Sequence, residues 1–510
     1  MQTTSDGLPK IIDCFDFTGA GDVDTSVIKE GDSKNVLIGL SGRKLRIPQK
    51  WINPSGKWHL GLKALYKPKM LSSREAPKKL PEIDCIVWFD GDKWNACIET
   101  LEGKLERAKV LTSFRDSHEY GIFISNEFEI AYCITVHNNG NLLEIFMAYK
   151  NHGSIVAQIA AANFPKNPDQ NGLAPGAQII AINVLDPQTN FSIVPQNMQA
   201  VIKALQKCIE MKVDIVNYSL SYFAGDGEIE KLLYEMVYKH NILLFKSAGN
   251  DGPFYSTVRK CDSNVENLIF TIGAILTSEM KKQIYMLPDN VDDSPPVVYS
   301  FSSRGPGAYG SKGLNFVAPG AVIVNLPSFN YPWKRHYFYG TSCSSPNGAG
   351  AIACLLSGLK ENSIQYSPAS MKFVLFKTAH LPKINANIFE FGHGIIQIDV
   401  AFSYFKHKLS DIKDGNKTCE VKVTALEKSF TNLCVQYVKE DDRMQSIVNE
   451  RTKKILKFTP RNQTETYSFP IKTSQLHEIC VYYPTMEYYF PSNAKFEINI
   501  NFTKNQNCNK

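Results

Sequence analysis

Four short, almost unbroken apolar runs lie along the middle of the chain, rich in β-branched side chains. They are Gln178–Leu185, Val213–Ser219, Ile242–Ser247 and Leu268–Ile275, and such runs predict strands buried on both faces. Between them, Gln199–Met211 and Glu228–Lys239 carry the apolar repeat of amphipathic helices packed on a sheet. Strand and helix in alternation predict an α/β fold, a parallel sheet with helices on both faces. After about Ser410 the texture changes. Glu420–Leu426, Cys434–Val438 and Lys495–Ile500 alternate apolar and polar residues, which predicts an antiparallel, sandwich-like β region at the C-terminal end. Residues 15–145 mix turns with strand-like pieces such as Asp84–Asp90 and are expected to form an inserted subdomain beside the main sheet. The resulting division is 1–145, the N-terminal part with its subdomain; 146–408, the α/β core; and 409–510, the β-rich region.

Composition narrows the function. The 510 residues carry 56 Lys and Arg against 50 Asp and Glu, a net charge of +6. No basic run is long enough for a nucleic-acid footprint, so no nucleic-acid partner is expected. No segment reaches the roughly 18 apolar residues of a membrane span, so no membrane partner is expected either. The first residues, Met1 to Gly7, are polar and lack the basic and apolar stretches of a secretory signal. The 12 cysteines include no Cys-x-x-Cys pair, which argues against a zinc site or a disulfide framework. A cytoplasmic chain with no required metal or cofactor is the expectation.

Candidate chemistry lies in three segments. Gly340-Thr-Ser342-Cys-Ser-Ser-Pro346 precedes a run of small and apolar residues that predicts a buried helix. A Ser in the first turn of such a helix has unpaired backbone N–H groups and the positive dipole end beside it, which favour an oxyanion. Pro346 is expected to fit because first-turn N–H groups lack intrahelical partners. His152 opens a second apolar helix with Gly153 and Ser154, and its imidazole suits a general base. Asn250 ends Ser247-Ala-Gly-Asn250, where its amide would face a developing negative charge.

His152, Asn250 and Ser342 follow one another in the chain order of the subtilases, the subtilisin-like serine peptidases. Gly172-Leu-Ala-Pro-Gly-Ala-Gln178, Phe301-Ser-Ser-Arg-Gly-Pro306 and Val317-Ala-Pro-Gly320 also resemble that family. The resemblance implies a subtilisin-like fold and acyl-enzyme catalysis, with His152 and Ser342 catalytic and Asn250 in the oxyanion site. It further implies peptide substrates held as an added strand by Ser219, Leu220, Ser221, Ser247, Ala248 and Gly249.

Asn347 after Ser344-Ser-Pro346, together with Asp22-Val-Asp24, Leu40-Ser-Gly-Arg43, Asn217-Tyr-Ser219 and Gly392-His-Gly-Ile-Ile-Gln397, resembles the tripeptidyl-peptidase branch, whose members release short peptides from a free N-terminus. Two departures matter. The family's catalytic Asp turn has no counterpart, since Asp16-Phe-Thr-Gly19 aligns downstream of it. Gln196 and Tyr222 stand where that branch holds the substrate's amine with two Glu. A neutral amide and a phenol cannot neutralise an ammonium. Three readings follow, a serine exopeptidase, a catalytically silent relative that binds peptides or a partner subunit, and a general endopeptidase that has lost the tripeptide ruler. A homodimer is compatible with each, whereas a large assembly is not expected.

Overall fold

The computed structural model describes the chain apart from residues 1, 33–34, 67–78, 102, 104, 125–128, 148, 150, 187–197, 221–226, 259–268, 287, 289–294, 308–311, 326–334, 383–385, 408–415, 426–431, 440–451, 458–463, 473–476, 483–495 and 505–510. It divides into two compact units, Met1–Lys207 with Val322–Phe338 and Cys208–Ala321 with Tyr339–Lys510.

In the first unit, β1 (Ile11–Asp16), α1 (His152–Ala161) and β2 (Ile179–Asn183) follow in chain order. β1 and β2 pair in parallel, with Cys14 opposite Ala181. The region expected as a subdomain holds a five-stranded antiparallel sheet whose middle strand is Lys79–Phe89. Its continuous apolar run reflects burial on both faces. Ile83, Cys85 and Val87 point into one core, while Ile86 and Trp88 point into another that also holds Trp51 and Trp58. The Trp88 ring stacks on Trp51 at 4.6 Å between centroids. Asp84 in the same strand is fully buried, and Ser41 and Arg43 supply its hydrogen bonds. A four-stranded antiparallel sheet, Gly121–Ile124, Glu129–His137, Leu142–Met147 and Asp22–Asp24, and a two-stranded one, Val36–Ile38 with Lys44–Arg46, also belong to this unit.

In the second unit β3 (Ile215–Tyr218), β4 (Leu243–Ser247), β5 (Ile269–Leu276) and β6 (Phe316–Pro319) lie side by side in parallel. Three of the four apolar runs account for β3, β4 and β5; β6 was not among the expected strands, and the run Gln178–Leu185 falls instead on β2, paired with β1 in the first unit. β4 and β5 are buried at every position. The expectation of burial on both faces fails for β2 and β3, whose residues are mostly half-buried. The reason is position. β3 ends its sheet, and β2 has β1 as its one strand neighbour among the described residues.

α2 (Thr341–Glu361) packs on the β4–β5 face. A Cβ at Gly348 would stand 3.3 Å from Phe245 and 3.4 Å from Ile272, so the small residue brings helix and sheet together. α3 (Pro368–Thr378) starts at a capping box made by Ser367 and Ser370. The helix expected over Glu228–Lys239 is α-helical over Gly227–Tyr234 and widens to a π turn over Glu235–Lys239. Beyond residue 415, two three-stranded antiparallel sheets form the β-rich region. No helix among the described residues is long and apolar enough to cross a membrane.

Candidate active site

The second unit assembles its candidate site where β3, β4 and the start of α2 meet. Gly340, at φ 150° and ψ 164°, precedes α2 in a conformation that side-chain-bearing residues rarely adopt. The Thr341 amide and Thr341 Oγ1 each donate to Asn250 Oδ1 at 2.9 Å. Gly249, whose φ of 110° again needs glycine, donates its amide to Thr341 Oγ1 at 3.2 Å. The carbonyl end of Asn250 is therefore committed, and its Nδ2 is the end left to donate outward from an exposed position. The Cys343 amide is taken by the Gly340 carbonyl at 2.9 Å. The Ser342 amide then remains the first-turn N–H without an acceptor among the described residues.

Ser342 itself is half-buried. Its Oγ donates to the Ser219 carbonyl at 3.3 Å, and Ser219 Oγ donates to the Ser342 carbonyl at 3.1 Å. Asn217 Nδ2 donates to Ser219 Oγ at 3.0 Å, while Ser345 Oγ donates to Asn217 Oδ1 at 2.7 Å. The reading of Pro346 needs correction. It lies inside α2, past the first turn, where its missing N–H would have bonded the Ser342 carbonyl four residues back. Ser219 Oγ fills that role.

The neighbour of Ser342, Cys343, is buried, and burial pushes its thiol up to about 12. It is a packing residue rather than a competing nucleophile. Behind the site, Ser303 donates its amide to the Gly249 carbonyl at 3.0 Å, and Ser303 Oγ accepts from the Asp251 amide at 3.1 Å. The segment 301–306 thus braces the Asn250 loop, with Arg304 held by Glu390 at 2.9 Å.

Of the residues expected to bind a peptide, Ser219, Ser247, Ala248 and Gly249 are buried at the ends of β3 and β4, and Leu220 is half-buried beside them. Gln196, Ser221 and Tyr222 lie outside the described residues. His152 belongs to the first unit. It is the first residue of α1, half-buried, and its ring meets the Phe338 ring edge-on at 6.0 Å. Ile155 and Ile159 on the same helix are buried and hold α1 in place.

Asp16, whose turn superficially matches a catalytic Asp motif, is engaged elsewhere. Thr18 donates its amide to Asp16 Oδ1 at 2.9 Å, and the Asp16 amide donates to Glu144 Oε1 at 2.6 Å. Glu144 Oε2 in turn sits 2.8 Å from His137 Nε2, whose pKa is raised chiefly by that hydrogen bond. Burial holds the Asp16 carboxyl above its ordinary range, with the Glu144 and Asp22 charges adding to the effect.

Sequence reasoning named Ser219 for its backbone alone and missed Asn217, Thr341 and Ser345. Their one visible signal is a cluster of small polar residues at strand ends and before Pro346.

The Subtilase family pattern matches residues 120–394. Tripeptidyl-peptidase 2 of Caenorhabditis elegans is 34% identical over 513 residues, covering 86% of this chain and 36% of that protein. Tripeptidyl-peptidase 2 of Oryza sativa subsp. japonica is 31% identical over 475 residues, covering 79% of this chain and 34% of that protein. The chain spans about a third of the length of these curated relatives. A crystal structure of tripeptidyl peptidase 2 superposes with a TM-score of 0.60 at 17% identity, covering 98% of this chain and 56% of that one. That likeness shows the fold.

Proposed function

The chain belongs to the subtilase family, and from that premise we propose that it is a serine peptidase of the tripeptidyl-peptidase type, releasing short peptides from the free N-terminus of oligopeptides. Ser342 is the nucleophile. His152 is the general base that the family resemblance assigns to it. The observation that carries the reading is the division of labour on Asn250. Its Oδ1 is locked by Thr341, which leaves Nδ2 beside the Ser342 amide as two donors for an oxyanion. The substrate lies as an added strand along Ser219–Ser221 and Ser247–Gly249.

A fluorophosphonate probe tests the nucleophile. The purified chain is expected to be labelled on Ser342, and Ser342→Ala to be unlabelled. Peptides with free and blocked N-termini then separate release from the N-terminus from internal cleavage, with cleavage of the blocked peptide overturning the exopeptidase assignment. A second reading is favoured by Gln196 and Tyr222, which bring no charge to an amine. Under it the chain binds peptides and does not cleave them, and tight peptide binding without labelling or turnover would replace the first reading.

A further inference from the structure

Lys246 is a cation inside an interior strand of the second unit's parallel sheet. It is fully buried in β4, with Tyr218 of β3 on one side and Thr271 of β5 on the other. An ammonium has three N–H donors, yet Lys246 Nζ makes one hydrogen bond among the described residues, to the Ser247 carbonyl at a long 3.3 Å. No carboxylate pairs with it among those residues. Lys10, equally buried, shows what a satisfied case looks like, donating to the Pro175 and Ala177 carbonyls at 2.7 Å each. A buried charge held so loosely is unfavourable unless an anion joins it.

The position of Nζ follows from the backbone. The Ala248 amide donates to the Ile272 carbonyl on β5 at 3.0 Å. In a planar trans peptide the Ser247 carbonyl then points the opposite way, toward β3. Lys246 Nζ, bonded to that carbonyl, stands at the seam where the chain leaves β3 through Ser219 and Leu220 and leaves β4 through Ser247 to Gly249. Both segments reach the start of α2, since Ser219 accepts from Ser342 Oγ and Gly249 donates to Thr341.

We propose that Lys246 determines specificity, its ammonium taking the carboxylate of an Asp or Glu side chain that a bound peptide inserts between these two strand ends. This inference rests on the peptide-binding reading above. The flexible four-carbon stem lets Nζ leave its long bond to the Ser247 carbonyl, and a carboxylate offers the charge-assisted bond that this carbonyl does not.

The test uses the purified chain carrying Ser342→Ala, so that bound peptide is not cleaved, and fluorescence anisotropy with hexapeptides that keep a free N-terminus and carry the dye at the C-terminal end. Glu, Gln or Lys is walked through each position in turn. At one position Glu is expected to bind about tenfold more tightly than Gln, and Lys more weakly than either. Lys246→Met, close in length and lacking the charge, is expected to erase the Glu preference while holding Gln-peptide affinity within about twofold. Lys246→Gln carries the same expectation if the Met variant does not fold. Equal binding of Glu and Gln peptides at every position, or a Glu preference that survives in the variant, overturns the assignment of Lys246 and leaves peptide binding standing. Binding of no peptide at all overturns both.

Discussion

Ser219 and Ser342 hold each other by side chain and main chain at once, each hydroxyl donating to the other's carbonyl at 3.1 and 3.3 Å. The pair exists because Pro346 leaves the Ser342 carbonyl without its helical donor. Ser219→Ala is therefore expected to cost about 1 kcal/mol of stability in chemical denaturation. Pro346→Ala restores an N–H four residues on, so the same Ser219 substitution made in that background should cost less, the remainder being the bond that Asn217 Nδ2 donates to Ser219 Oγ. A double-mutant cycle on unfolding free energies measures the coupling, and additive costs would show that Ser219 is not standing in for the missing helical bond.

Asn250 offers a cleaner separation of structure from chemistry. Asn250→Ala removes both the acceptor that fixes Thr341 and the outward Nδ2, so it should lose about 1–3 kcal/mol of stability together with about 10²–10³-fold in acylation rate. Asn250→Asp keeps an acceptor for the Thr341 amide and hydroxyl and removes the donor. Its thermal midpoint is expected near that of the wild type while its fluorophosphonate labelling rate falls as far as that of the Ala variant.

These expectations rest on features that the sequence made legible unevenly. The runs Ile242–Ser247 and Leu268–Ile275 are continuous because β4 and β5 are covered on both faces, so composition alone predicts them. β1 was not legible. Its Ile-Ile-Asp-Cys-Phe-Asp pattern has no clean period, and its partner β2 pairs Ile11 with Ile179, far along the chain. Ser342 was readable because a glycine, a small polar residue and a helix of small residues must stand together for a serine to open a buried helix. The role of the Ser219 hydroxyl was not, because it is created by a proline in another element. Lys246 shows as a charge inside an apolar run, yet its burial follows from the strands on either side.

Asp16 predicts a pH effect of known sign. Its Oδ2 is buried and has no hydrogen-bond partner, and burial raises its pKa, with Glu144 and Asp22 adding to the rise. A raised carboxyl pKa means that the folded chain binds its proton more tightly than the unfolded chain, so this group subtracts stability as pH climbs above about 4. Asp16→Asn should stabilise the chain at pH 7, with the gain shrinking toward zero at about pH 4. Urea midpoints of both proteins across that range decide it, and a gain independent of pH would mean that charge is not the cause.

His393 works in the opposite direction to the usual paired histidine. Its ring stacks on Phe376 at 3.8 Å and its Nε2 faces Lys312 Nζ at 3.2 Å. Burial first, and then the charges of Lys312, Lys372 and Lys377, push its pKa down to about 4. The folded chain therefore resists a proton that the unfolded chain accepts near pH 6.5. The stability this supplies is whole above about pH 6.5 and is lost as pH falls toward 4. Because the ring is partly open to solvent and the lysine charges are screened, about 1–2 kcal/mol is expected. Other groups titrate in the same window, so the measurement is the difference in pH slope between the wild type and His393→Phe, which keeps a flat ring against Phe376. The variant should lose the part of the acid destabilisation that belongs to the imidazole, and the His393 Cε1 proton resonance of the wild type should titrate near pH 4. A midpoint near 6.5 would mean that the lysines and the burial do not act on this ring.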